Sequence, residues 1–205
     1  MTHSLHRRGN AESLQEDYVF LCIPAKGFND EGHDAKLQEF LRIAQRHDPK
    51  NIGAISIGNM YSHTPEEVID AAHGVAHAVF DNMDAVTEVL KDLKEADLGL
   101  STIVSGIFGN VDGCLKKAGL KHHTANFSLG IWGNTAKLPG DDILEVTTMC
   151  GHALIATNLV QSMVDDVKAG RKTADEAAKT LAPQCACGIF NPARAAKLLT
   201  AMSAK

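Results

Sequence analysis

Short apolar runs alternate with amphipathic stretches over the first two thirds of the chain, and the last third is amphipathic throughout. "YVFLCIPA" (18–25) is almost continuously apolar, the pattern of a strand buried on both faces. In "HDAKLQEFLRIAQRH", Leu37, Phe40, Leu41 and Ile43 fall close to helical spacing. "NIGAISIGN" (51–59) reads as a second strand ending at Gly58 and Asn59. The longest helical pattern opens at Thr64, an N-cap residue followed by Pro65 in the first helical position and by Glu66 and Glu67 at the positive end of the helix dipole. That pattern runs on through "KDLKEA", with a break near "DNMD". "LGLSTIVSGIFGN" returns to a β-branched strand, a helix through "VDGCLKKAGL" stops at Gly119, and "HTANFSLGIWGN" supplies a fourth strand candidate.

Strand and helix thus alternate, and parallel neighbours need crossover connections of this kind. The expectation is a three-layer α/β fold with a mostly parallel sheet of about four strands and a C-terminal helical subdomain. Residues 1–17 would form an N-terminal arm, 18–140 the α/β core and 141–205 a helical, cysteine-bearing segment of the same compact domain. Within that segment Gly170 closes one helix, Thr173 and Glu176 stand in capping-box register for the next, and Asn191 with Pro192 opens the last.

At 205 residues with 44% hydrophobic and 22% charged positions, the chain has the composition of a folded protein with a substantial core. A net charge of −5 argues against nucleic acid as the main ligand, since "HRR" at 6–8 is the only dense basic patch. No apolar run is long enough to span a membrane and no apolar signal core follows the first residues, so a cytoplasmic location is expected, without a membrane partner.

Five cysteines, an odd number, argue against a disulfide scaffold and turn attention to "MCGH" (149–152) and "QCACG" (184–188). A helix of about 18 residues leads out ~27 Å, a second of about 9 returns ~13 Å, and the extended "PQCAC" covers much of the rest. Cys150, Cys185 and Cys187 can therefore converge, each group at or just before a helix N-terminus that favours negative charge. With His152 beside them, three thiolates could hold zinc as Cys3His; alternatively they could hold a four-iron iron–sulfur cluster with one iron open as a Lewis acid. Metal-free thiol chemistry and plain burial are the other readings. Gly151 and Gly188, which leave backbone space beside the thiols, weigh against plain burial. "MCGH" also resembles the motif around a catalytic cysteine in the proline racemase family, and "CACG" resembles the second cysteine motif of that family and of diaminopimelate epimerases. That resemblance covers a few residues only and implies Cys150 and Cys187 as an acid/base pair. Those families place the two motifs on separate duplicated halves, whereas here they are about 35 residues apart.

"SIGN", "IFGN" and "IWGN" each put Gly-Asn at or shortly after the end of an apolar run, where a parallel sheet would bind its ligand. Gly58, Asn59, Gly106, Gly133 and Asn134 are accordingly cofactor-pocket candidates, with ordinary turn chemistry as the competing explanation. His63, after the second strand, is a general acid/base candidate beside His152. His73 and His77 would share one helix face, but "HGVAH" lacks a zincin glutamate and a third ligand, which favours a structural role. His3, His6, Arg7 and Arg8 form a cationic arm that could close over an anionic substrate or onto a neighbouring subunit of a homo-oligomer.

Together these features lead to an expected function: an oxygen-sensitive, metal-dependent enzyme, iron–sulfur first and zinc as the alternative. It would be a lyase for a small, anionic carboxylate substrate, with the metal on Cys150, Cys185 and Cys187 and the proton moved by His152 or His63. A racemase-like or redox thiol enzyme, and an accessory protein that carries a metal or cofactor, are the alternatives.

Overall fold

The computed structural model describes residues 3–205 and, among them, five strands in one sheet. In chain order the elements of the first two thirds are α1 (Ala11–Leu14), β1 (Tyr18–Ile23), α2 (His33–Gln45), β2 (Asn51–Ala54), β3 (Gly58–Asn59), α3 (Pro65–Asp70), β4 (Ala76–Phe80), α4 (Met83–Ala96), β5 (Ser101–Ser105) and α5 (Phe108–Lys117). A helical C-terminal region follows, with α6 (Asp141–Thr147), α7 (Thr157–Lys168), α8 (Ala174–Leu181) and α9 (Pro192–Ser203).

The strands lie in the order β3-β2-β4-β1-β5, and every neighbouring pair is antiparallel. The expected mostly parallel sheet of about four strands is therefore wrong, and β4 is the reason. Ala76–Phe80 was read as part of a long helix, yet it inserts between β1 and β2, so α2 and α4 each connect strands that are two positions apart. Alternation of strand and helix survives while the neighbours become antiparallel, as in a split β-α-β arrangement. The strand expected at "HTANFSLGIWGN" is absent: residues 121–134 run exposed and without a ladder, Gly130 and Gly133 taking positive φ of 91° and 96°.

Side chains of the sheet alternate between two cores. On one face Tyr18, Phe20, Cys22, Ile52, Ala76, Ala78 and Phe80 meet Leu37, Phe40 and Leu41 of α2, Val68 of α3 and Val86 and Val89 of α4. On the other, Val19 and Val79 meet the C-terminal helices through Val146, Met149, Val160, Leu181, Ile189, Phe190 and Leu199. Three of the five cysteines, Cys150, Cys185 and Cys187, belong to this second core, whereas Cys22 and Cys114 belong to the first.

Local signals place the C-terminal helices. Thr173 and Glu176 form a reciprocal capping box on α8, and the side chain of Asn191 accepts from the Arg194 main-chain N–H at the start of α9. From the first turn of α9, Arg194 points into the protein and is buried with Asp17, the last residue before β1. Its guanidinium donates to Asp17 Oδ2 at 3.0 Å, to the Arg8 carbonyl at 2.6 Å and to Ser13 Oγ at 2.9 Å; Arg7 donates to the same Asp17 oxygen at 2.6 Å. Asn191 Nδ2 donates to Asp17 Oδ1 at 3.1 Å. One carboxylate thus ties the N-terminal arm, the sheet and α9 together.

Removing one partner of a buried ion pair strands the others without compensation. Asp17→Ala removes the carboxylate shared by the buried Arg7 and Arg194 guanidinium groups, leaving Arg194 with Glu145 as its ion-pair partner, and a loss of ~3–5 kcal/mol is expected in urea unfolding. A loss below ~1 kcal/mol would show that water reaches this network.

Candidate functional site

The second face of the sheet carries polar residues exactly opposite the cysteine loop that joins α8 to α9. Asn51 Nδ2 donates to the Phe190 carbonyl at 3.0 Å, and Asn59 Nδ2 donates to the carbonyls of Ala182 and Cys185 at 3.0 and 2.8 Å. Between them Gly53 meets the loop main chain directly. A Cβ on Gly53 would stand 2.6 Å from the Cys187 oxygen and 2.7 Å from Gly188 Cα, and Gly188 holds a φ of 78°. Only glycine at both positions lets the two backbones approach this closely. Gly53 pairs across the ladder with His77, so the same contact sets Cys187 against the His77 ring.

The N-terminal arm completes the cluster. His3 Nε2 lies 3.2 Å from His77 Nε2, and the His3 ring stacks on His152 with centroids 4.7 Å apart. Gly151 makes room for the arm, because a Cβ there would overlap the His3 carbonyl. Ser4, the next residue, is buried and shares a 2.6 Å hydrogen bond with Ser105 of β5.

Six side chains therefore converge: His3, His77, His152, Cys150, Cys185 and Cys187. Cys187 Sγ is 3.6 Å from His152 Nδ1 and 4.0 Å from Cys185 Sγ, and Cys150 lies on the other side of Cys185. Cys150, as the donor to Cys185 and as a buried group, is held far above its ordinary range. Cys185 is pulled down by Cys150 but pushed up by donating to Cys187 and by burial, ending at about 11. Cys187 receives the Cys185 hydrogen bond and is lowered, so it is the most thiolate-prone of the three. The histidines move the other way. Burial, aided by neighbouring His152, takes His3 to about 4; burial, aided by His3, takes His77 to about 3. Both rings are neutral near pH 7. His77 Nδ1 is buried without a good hydrogen-bond partner, the nearby Cys187 main chain falling short of proper geometry.

Neutral imidazoles beside a thiolate are the donors that zinc and its first-row neighbours take. The ligand atoms of His3, His77 and Cys187 lie within 4.8 Å of one another. A tetrahedral ion bound at ~2.1 Å by nitrogen and ~2.3 Å by sulfur spaces its ligand atoms about 3.4 Å (N to N), 3.6 Å (N to S) and 3.8 Å (S to S) apart. The 3.2 Å between His3 Nε2 and His77 Nε2 sits close to the nitrogen pair value, and Cys187 Sγ lies within 4.8 Å of both imidazoles. The donor types present are ones a single such ion takes.

Sequence reasoning brought Cys150, Cys185, Cys187 and His152 to one place, and the structure holds them there, although in loops rather than at helix N-termini: α7 begins only at Thr157 and α9 at Pro192. Cys185 touches both other cysteines, so Cys150 and Cys187 do not face each other across an open gap as an acid/base pair requires. Asn59 acts on the cluster through the Cys185 carbonyl, while Gly58, at φ 124°, packs beside Ser62 and His63. His63 is exposed on that turn. Gly106 lies under the Tyr18 ring, where a Cβ would meet Cδ1 at 2.6 Å, and Gly133 and Asn134 sit in the exposed segment. Two cluster members went unrecognised. His77 was hidden by assigning β4 to a helix, and His3 by its place on an arm; the apolar run "AHAVF" after Gly74 was the available signal for the first.

No family model, no curated protein and no solved structure matches this chain. Among the described residues, no helix is long and apolar enough to cross a membrane.

Two outcomes follow from this geometry. His3 and His77 are neutral when folded but charge below 6.5 when unfolded, so between pH 6.5 and about 3 the unfolded chain binds more protons. Stability of the chelator-treated protein is full above 6.5 and falls as pH drops through that window, and His77→Gln flattens the fall; urea midpoints from pH 7.5 to 4.5 measure it. Gly53→Ala forces a methyl group between two main chains, with an expected cost of about 1–3 kcal/mol. It also moves Cys187 off His77, which a lowered thiol reactivity profile at Cys187, read by alkylation and mass spectrometry, would register.

Proposed function

We propose that this chain is a metal-dependent enzyme whose single transition-metal ion is held by His3, His77 and Cys187. The carrying observation is that these three ligand atoms come from three separate parts of the chain and lie within 4.8 Å of one another. Three protein ligands leave one position of a tetrahedral ion for substrate or water, the arrangement of catalytic rather than structural zinc. When bound, such an ion supplies Lewis acidity toward a carbonyl or carboxylate oxygen.

The chain's own residues support a role for the site in small-molecule chemistry. His152 is exposed, stacks on His3 and reaches Cys187, so it stands at the mouth and can hand a proton to or from a molecule entering there. Cys185 lies behind Cys187, and the hydrogen bond between them favours the Cys187 thiolate. Arg7, Arg8 and Arg194 are all engaged by carboxylates, at 2.6, 2.6 and 3.0 Å. Attraction for a small anionic carboxylate would therefore fall to the ion itself, and a lyase reaction, in which a Lewis acid and a proton-transfer group act on one molecule, suits the pair.

An iron–sulfur cluster on Cys150, Cys185 and Cys187 is the second reading, favoured by three buried free thiols gathered around Cys185. A cluster seats its cysteines on different irons and spreads them apart. The 4.0 Å sulfur pair, and the two histidines a cluster would leave unused, favour the single ion.

Anaerobic purification followed by metal and sulfide analysis separates the readings. The expected result is about one zinc-like ion per chain, lost in Cys187→Ser, strongly reduced in His77→Gln and kept in Cys150→Ser. Added Co2+ should then give sulfur-to-metal charge-transfer absorption. Brown protein with iron and sulfide, bleached by Cys150→Ser, would replace the single ion by a cluster. A folded, metal-free wild type that takes up no Co2+ would overturn both.

A further inference from the structure

A second group of donors lies away from the buried cluster, where α2 begins and the turn from α3 enters β4. His33 is the first residue of α2, Asp34 the second, and His73 lies just before Gly74, whose φ of 76° turns the chain into β4. Asp34 Oδ1 is 3.1 Å from His33 Nε2 and 2.7 Å from His73 Nδ1, and the two rings sit 5.1 Å apart.

The hydrogen bonding of His33 does not close without a cation. Its Nδ1 is 2.6 Å from the Asp30 carbonyl oxygen, which can only accept, so Nδ1 carries the proton. In the neutral ring Nε2 is then a bare lone pair, and it faces a carboxylate oxygen at 3.1 Å. Two acceptors held in contact need positive charge between or beside them: a second ring proton, or a metal ion. A main-chain carbonyl that fixes the tautomer of an imidazole and leaves its other nitrogen free is also the usual outer support of a metal-ligating histidine.

The spacing suits an ion. Nitrogen and oxygen donors at ~2.1 Å from a six-coordinate ion, at right angles, lie about 3 Å apart. The observed 2.7 and 3.1 Å bracket that figure. Two imidazoles and one carboxylate on one side of an ion leave its other side to water, and here that side is open, Asp34 and His73 being 51% and 65% exposed at their side chains.

We infer that His33, Asp34 and His73 form a second, surface site for a divalent first-row transition ion, distinct from the buried cluster and independent of its occupancy. It has nitrogen and oxygen donors only and open coordination positions. The ion would clamp the start of α2 to the turn before β4, two segments 39 residues apart.

The test uses the full chain with Ni2+ as probe, titrated calorimetrically, beside His73→Ala, Asp34→Asn and the double variant His33→Ala, His73→Ala. All three positions lie at the surface or partly so, and circular dichroism checks folding. The wild type should bind one more equivalent of Ni2+ than the double variant, and each single variant should weaken that equivalent at least tenfold. In a Cys187→Ser background the extra equivalent should persist, with Co2+ showing no sulfur-to-metal absorption. Equal stoichiometry and affinity for wild type and double variant would overturn the site and leave a protonated His33 as the cation. So would loss of all Ni2+ binding in Cys187→Ser.

Discussion

The carboxylate of Asp17 is the point at which the three parts of this molecule meet. It receives Arg7 from the arm, Arg194 and Asn191 from the start of α9, and it sits at the entrance to β1 in the middle of the sheet. Two positive groups and one negative one in a place without solvent are costly to assemble and costlier to leave incomplete, which makes the network a device for specifying one arrangement rather than for adding stability. What it specifies is where the arm goes. Arg8 donates its main-chain N–H to Thr148 at 3.0 Å and gives its carbonyl to Arg194, so the residues before it are led across the second face of the sheet toward β4 and β5. His3 reaches His77 as a result.

A different constraint places the cysteines. The loop between α8 and α9 is laid onto β2 and β3 by three contacts, Asn51 of β2 to Phe190, Gly53 of β2 to Cys187 and Gly188, and Asn59 of β3 to Cys185. Glycine within a strand loses packing and adds unfolded-state entropy, so its presence in β2 asks for a reason. Here the reason is a missing Cβ through which one main chain passes another. Hydrogen bonds from the two asparagines fix the loop's height over the sheet, and the glycine pair fixes its distance. The cluster is thus rigid on the cysteine and His77 side and depends on a docked chain segment on the His3 side.

These relations explain which features could be read from residues alone. Capping signals are local: Thr64 caps α3 as expected, and Thr173 with Glu176 forms the capping box that their spacing implied. The meeting of Cys150 with Cys185 and Cys187 was legible too, because the second helix returns part of the way covered by the first and the extended PQCAC segment can span much of the rest. β4 was not. It is five residues long and buried on both faces, with alanine or histidine at three of its five positions, so it lacks the alternation that marks a half-exposed strand and carries the strongest helix former at two positions. Losing β4 reversed the sheet from antiparallel to parallel and removed His77 from view, one local error with two distant effects. The exposed stretch at 121–134 failed in the opposite sense: its apolar residues suggested a strand, but among the described residues no strand pairs with it.

The division of the cluster between a fixed half and a docked half bears on how an ion would enter. His77 and Cys187 are buried and set by the sheet and the loop. His3 belongs to an arm held by polar contacts through Ser4, Arg7 and Arg8, and its main chain passes directly over Gly151. Polar anchors are exchanged for water at small net free energy, whereas a bond from imidazole to a metal has no comparable substitute. Metal binding at the proposed site and arm docking would then be a single linked equilibrium. An ion that needs His3 stabilises the docked arm by its differential affinity, and a docked arm in turn raises the affinity for the ion by the same factor. The same linkage carries pH dependence, since protonating His3 or His77 removes a ligand and introduces charge into a buried place at once. Acid therefore acts on the arm, the ion and the fold through one pair of rings.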